Sequence, residues 1–222
     1  MKTAEQIMKS KHFIKEELDR QLPKTLSDEL WKKAETRLAG YLRQYADISK
    51  GEHTHTDNFI FPATAIYLTM KEVTTQEQAY SVIEQAAIRN SGDAGRKLAK
   101  LMRAPAMRSL FVWIWDPMTK KMFGANSGFQ NVFYPKVKGE YRMDVVSCPY
   151  CKYFTELGCP ELTKIFCAND DRVYGNLPGL EFRRTGTLGT GADRCDFYLR
   201  KAGTTPTSAR AADQDAEGRK PQ

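Results

Sequence analysis

Along residues 3–20 the apolar side chains Ile7, Ile14 and Leu18, with Lys11 completing the stripe, recur at helical spacing and predict a short amphipathic helix. After Pro23, Ser27 is placed to cap a second helix whose face runs Leu30, Ala34, Leu38, Tyr41, Leu42, Tyr45 and Ile48, and which Gly51 ends. Pro62 suits the first turn of a third, over residues 59–73, that carries Ala63, Ile66, Tyr67 and Met70. Thr75 with Gln78 three residues on gives a capping-box pattern for a helix bearing Ala79, Val82, Ile83, Ala86 and Ala87. Ser91, Gly92 and Gly95 are expected to break the chain, and residues 97–121 read as one or two further helices with Leu110, Trp113 and Ile114 buried.

Beyond Gly124 the period changes. Phe129, Val132 and Phe133 are followed, after Pro135 and Gly139, by Tyr141, Met143 and Val145 alternating with Arg142 and Asp144, a strand signal. Pro149 and Pro160 each open a short helix within residues 149–169, and strand character returns over residues 180–188 and 195–200. Helices first and strands afterwards predict an α+β fold, a helical N-terminal half packed on a mainly antiparallel C-terminal sheet with short Cys-containing helices. From Gly203 onward large apolar residues are almost absent, so the chain is expected to divide into one domain over residues 1–200 and a disordered tail over residues 201–222.

Composition narrows the function classes. A formal charge of +7 would admit a nucleic acid, but the cations are interspersed with Asp and Glu and accompany no basic helix, aromatic nucleic-acid motif or finger spacing. The expected partner is a small molecule, with no nucleic acid and no membrane. No stretch reaches the roughly 20 apolar residues that a membrane span needs. Five cysteines, an odd number confined to positions 148–195, point to reduced thiols and a cytoplasmic setting. The sequence leaves the oligomeric state open.

Chemistry concentrates between Cys148 and Cys195. Cys148 and Cys151 make a C-x-x-C, and Cys159 and Cys167 follow singly. No cofactor is expected, although zinc or iron at Cys148, Cys151, Cys159 and Cys167 is the alternative, and small buried hydrophobes a further reading of Cys151 and Cys159. Cys167 is expected at the end of its helix beside Asn169, Asp170 and Asp171, where a thiolate could attack an electrophilic carbon and a carboxylate could move a proton. Carboxylates and a helix C-terminus both raise a thiol pKa, so activation calls for a cation from elsewhere, with His53, His55, Arg183 and Arg184 as candidates. His53 and His55, at i and i+2, face one way on an extended segment and are candidate ligands or bases, or else solvated loop residues. Gly186, Gly189 and Gly191 fit a tight turn between strands that presents Asp193 and Cys195 near the sheet edge.

These residues carry a resemblance. Cys148, the 158–161 turn with Pro160, Glu161 and then Leu162, Phe166 with Cys167 before Asp170, Phe182, Arg184 and Thr185 with Thr187 and Leu188, and the closing Cys195, Asp196 and Phe197 follow one another in order. Upstream, residues 62–67 and then Gly128 and Phe129 extend the likeness to roughly residues 5–200. The chain thus resembles the L-2-amino-thiazoline-4-carboxylic acid hydrolase family. The resemblance implies a hydrolase that opens a cyclic amidine or thiazoline ring, giving N-carbamoyl-cysteine from the substrate of the family's name. It implies a catalytic set drawn from Cys167, Asp193, Asp170, Glu161 and Cys195, with Arg184 and His55 as substrate-binding residues. A non-catalytic small-molecule or metal sensor built on the cysteine cluster is the competing expectation.

Overall fold

In the computed structural model, which describes residues 2–203, two helices rather than one carry the first apolar stripe. Helix α1 (Ala4–Ser10) and α2 (His12–Gln21) meet at Lys11, whose backbone leaves the helical region at φ −103° and ψ 22°. The break lets Ile7 and Met8 of α1 and Ile14 and Leu18 of α2 enter one core. Helix α3 (Lys24–Gln44) starts directly after Pro23, so Ser27 is not its cap. Ser27 is buried inside the helix, accepting a hydrogen bond from the Lys15 ammonium at 3.0 Å and donating one to Asp19 at 2.6 Å. Gly51 does not end α3 either. It is the second residue of α4 (Lys50–His55), where an added Cβ would stand 2.1 Å from the Asn126 carbonyl oxygen.

A wide π-type turn, Thr56–Ile60, runs α4 into α5 (Phe61–Met70), with Pro62 in the first turn. Helix α5 is buried on nearly every side, which explains its lack of a polar face. Helix α6 (Gln76–Met102), capped by the Thr75 hydroxyl on the Gln78 N–H, runs unbroken through Ser91, Gly92 and Gly95. Gly95 serves close packing: a Cβ there would lie 2.6 Å from the Arg172 carbonyl oxygen on a later helix. In α7 (Pro105–Met122) the buried residues are Phe111, Val112, Trp115 and Thr119, while Leu110 and Trp113 are exposed and Ile114 is half-buried. The inward face is therefore offset by one residue from the predicted one.

Strands β1 (Gln130–Phe133), β2 (Glu140–Ser147), β3 (Leu180–Arg183) and β4 (Cys195–Lys201) form one antiparallel sheet in the order β1-β2-β4-β3. The alternation in β2 places Tyr141, Met143 and Val145 opposite Leu199, Phe197 and Cys195. Together with Phe111, Val112 and Trp115 of α7 they build a sheet-side core, and α1 to α3 with α5 and α6 build a second, helical one. Helices α8 (Pro149–Glu156) and α9 (Leu162–Tyr174) stand where the two meet, and Tyr150 packs against both. The fold is α+β, as the pattern of the chain predicts. The strand expected over residues 180–188 stops at Arg183, and residues 204–222, most of the expected tail, lie outside the described residues.

Candidate functional site

Strand β2 delivers the chain to Cys148, the N-cap residue of α8, held extended at φ −134° and ψ 127° with Pro149 next to it in the first turn. N-cap and third helical position face each other, as in a capping box. The sulfurs of Cys148 and Cys151 are consequently near enough to shift each other's ionisation, and the backbone N–H groups of Tyr150 and Cys151 favour the Cys148 thiolate. Each thiol steadies the other's thiolate, which lowers the first ionisation, carried by Cys151, and holds the second up.

Cys167 and Asp170 lie three residues apart on one face of α9. Because α9 continues to Tyr174, Cys167 is in mid-helix, not at the C-terminal end that the sequence led us to expect, and the helix-end penalty on its thiolate lapses. Burial pushes the Cys167 thiol up, partly offset by the Thr187 hydroxyl, the Arg184 cation and the Gly189 N–H. The loop after β3 closes over this thiol. Thr187 caps a short 3-10 turn, Leu188–Thr190, and a Cβ on Gly189 would lie 2.8 Å from both the Cys167 sulfur and the Thr163 methyl. Beneath the loop, the Leu188 N–H donates to the Cys195 sulfur at 3.3 Å, and burial pushes that thiol to about 12.

Arg184 binds the chain to itself. Its guanidinium donates to Asp170 at 2.8 Å, to the Cys167 carbonyl at 2.7 Å and to Asp171, and the side chain is 3% exposed. That fork is filled from within, so the sequence-based role of Arg184 as a clamp on a substrate carboxylate does not fit its place. Asp170 keeps 33% of its side-chain surface, yet desolvation pushes its carboxyl up to about 6 against the pull of Arg184. The neighbours that desolvate it are protein groups packed along α9, while part of its edge stays open to solvent.

Tyr150 forms part of the surroundings of that carboxyl, since Cys148, Asp170 and Cys167 all interact electrostatically with its phenol, and burial raises its pKa well above the usual value. Its hydroxyl meets His55 Nδ1 at 3.2 Å, while His55 Nε2 stands 2.7 Å from the Met122 carbonyl. A carbonyl only accepts, so Nε2 carries the hydrogen and Nδ1 accepts from Tyr150. His55 is 2% exposed and burial lowers its pKa, which keeps it neutral. It supports Tyr150 from behind, and with both ring nitrogens engaged inside the protein it presents no free polar atom to a substrate.

A family model described as L-2-amino-thiazoline-4-carboxylic acid hydrolase matches residues 53–199. The chain belongs to this family. The matched span runs from α4 into β4 and contains His55, Tyr150, the cysteines, Asp170 and Arg184, whereas α1 to α3 lie before it and complete the helical core around α5. No curated protein and no solved structure matches the chain.

Within this member of the L-2-amino-thiazoline-4-carboxylic acid hydrolase family, other expected site residues lie elsewhere. Glu161 accepts a hydrogen bond from the Tyr67 hydroxyl at the foot of α9. Cys159 is buried in the helical core with its sulfur 3.6 Å from the Thr64 hydroxyl, which separates it from Cys148, Cys151 and Cys167 and undoes the four-thiolate alternative. Among the described residues no group of three or more His, Cys, Asp or Glu is placed to hold a metal ion. Asp193 is exposed and lines a surface recess with Thr185, Gly186, Gly191, Ala192, Arg194 and Asp196, a set that does not include Cys167. His53 and His55 do not face one way, because they sit on a helix, where an i to i+2 step turns by about 200°. His53 instead meets Asp57 at 3.1 Å. Sequence reasoning missed Tyr150 and gave Thr187 no site role beyond its part in the family likeness, because the place of each depends on contacts between distant segments. Among the described residues no helix is long and apolar enough to cross a membrane.

Proposed function

We propose that this chain is a hydrolase that opens a small cyclic amidine, 2-amino-thiazoline-4-carboxylate or a related ring. The observation that carries the reading is Asp170, a carboxyl tuned to about 6, on the same face of α9 as Cys167. A general base titrating just below neutrality is ionised at working pH and still able to return a proton. In the ring-opening step Asp170 takes a proton from water, whose oxygen adds to the carbon between the ring sulfur and the two nitrogens. The proton passes to the ring nitrogen. Collapse then breaks the carbon–sulfur bond, the electron pair leaves with sulfur, and the hydroxyl proton follows it, giving a carbamoyl group and a free thiol.

The donors around Cys167 favour a second route. The Thr187 hydroxyl, the Gly189 N–H and Arg184 all favour the thiolate, so Cys167 itself could add to the ring carbon, expel the ring thiolate and be released by water. Thiol release from a panel of thiazolines and related cyclic amidines tests the whole reading. Turnover is expected with the native chain, and Asp170→Asn should reduce it by about 10²–10⁴-fold. Cys167→Ala retains turnover on the water route and abolishes it on the covalent one. A native chain inactive on every ring would overturn the proposal.

A further inference from the structure

Neither sulfur of the Cys148–Cys151 pair has a role in the ring-opening scheme, yet their placement is specific. Both cysteines are free and half-buried. Cys148 is fixed by the end of β2 and Cys151 by the first turn of α8, and the N-cap and third helical positions turn their side chains toward each other. Positions three apart at a helix start bring the side chains to about 5–6 Å between Cβ atoms. A disulfide needs roughly 3.5–4.5 Å, so a small side-chain and backbone adjustment closes the bond. The other three sulfurs are engaged separately: Cys159 by Thr64, Cys195 by the Leu188 N–H, and Cys167 beneath Gly189.

We propose that Cys148 and Cys151 are a thiol–disulfide exchange site that closes reversibly into a disulfide on reaction with a low-molecular-weight disulfide. Cys151, the less enclosed member and the one that ionises first, attacks one sulfur of the small disulfide and expels a thiolate, leaving a mixed disulfide. Cys148 then attacks the Cys151 sulfur, and the second thiolate leaves. The two hydrogens lost by the protein appear on two molecules of small thiol, and the small disulfide is the oxidant. The site holds whether or not the ring-opening reading does. Its closure would still be felt there, because Tyr150 lies between the two cysteines and Cys151 interacts electrostatically with Cys167.

The test treats the reduced full chain with oxidised glutathione under native conditions, followed by thiol titration in denaturant and mass analysis. The chain has five cysteines, and the titratable number should fall to three. Trypsin releases residues 143–152 as one fragment holding both cysteines, and that fragment should be lighter by two hydrogens until a dithiol reductant restores it. Cys148→Ser should stop at a glutathione adduct on Cys151. Cys167→Ala should lose two thiols as the native chain does, which keeps the test open if the serine variant fails to fold. Five thiols persisting in the native chain, an unresolved adduct there, or a bond from Cys151 to Cys167 or Cys195 would each overturn the proposal.

Discussion

The guanidinium of Arg184 holds Asp170, Asp171 and the Cys167 carbonyl at once, which makes it a positioning residue: it fixes the base and the thiol-bearing turn of α9 relative to each other. Desolvation of Asp170 outweighs this cation, and the carboxyl titrates at about 6. As a general base it works ionised, so kcat/KM should rise with pH through about 6 and level off above it; a profile flat from pH 5 to 7 would remove Asp170 from that role. Arg184→Met takes away the pull that lowers the Asp170 pKa, so the same limb should move to higher pH. Removing one partner of a buried ion pair typically costs about 3–5 kcal/mol, and the partial exposure of Asp170 and Asp171 places this case near 3. Urea midpoints and the pH–rate profile read the two effects separately, and a variant that loses stability without moving the limb would show that Arg184 is structural only.

At the scale of elements, α9 is positioned by its seam with α6, and Gly95 sets the distance. Alanine at a helical glycine gains up to about 1 kcal/mol from propensity. At Gly95 the added methyl would stand 2.6 Å from a backbone oxygen of α9, where overpacking costs about 1–3 kcal/mol. Overpacking wins, so Gly95→Ala should lower the thermal midpoint and, by shifting α9, the turnover. Gly92→Ala is the control: its Cβ would meet only the Arg96 guanidinium at 3.5 Å, and it should be neutral or slightly stabilising. The same pair of glycines shows what the sequence could and could not tell. Local periodicity was enough to place most helices, the β2 alternation and the order of helices before sheet. It failed where a distant contact decides: Gly95 reads as a breaker until α9 is seen against it, and Ser27 reads as a cap until Lys15 and Asp19 are seen around it. Within the site, Cys167, Asp170 and Arg184 were legible as residue types close in sequence. Tyr150, the neutral His55 behind it and the internal filling of the Arg184 fork were not, because each depends on segments far apart in the chain.

For the whole molecule, two carboxylates give stability opposite slopes with pH. Asp170 binds its proton more tightly folded, at about 6, than at its ordinary 3.8, so its contribution is complete below about 4 and is lost as pH rises through 6. Asp19 is held far below the usual range by Lys15, the Ser27 hydroxyl and Lys24; its contribution is present above about 4 and is lost in acid. Stability of the native chain should therefore decline between pH 4 and 6 by the share that Asp170 carries. Asp170→Asn should flatten that decline and leave the acid limb unchanged. Urea midpoints at four pH values between 4 and 7 decide the matter, and identical slopes in both proteins would contradict it. The loop over Cys167 has a further consequence. With Gly189 pressed against one side of the half-buried sulfur and no room between them for even a methyl group, a bulky alkylating reagent reaches the thiol more readily while that short segment is lifted. Cys167 therefore serves as a counter of loop excursions, its modification rate rising with the time the segment spends raised, and any ligand that pins the segment down slows the count.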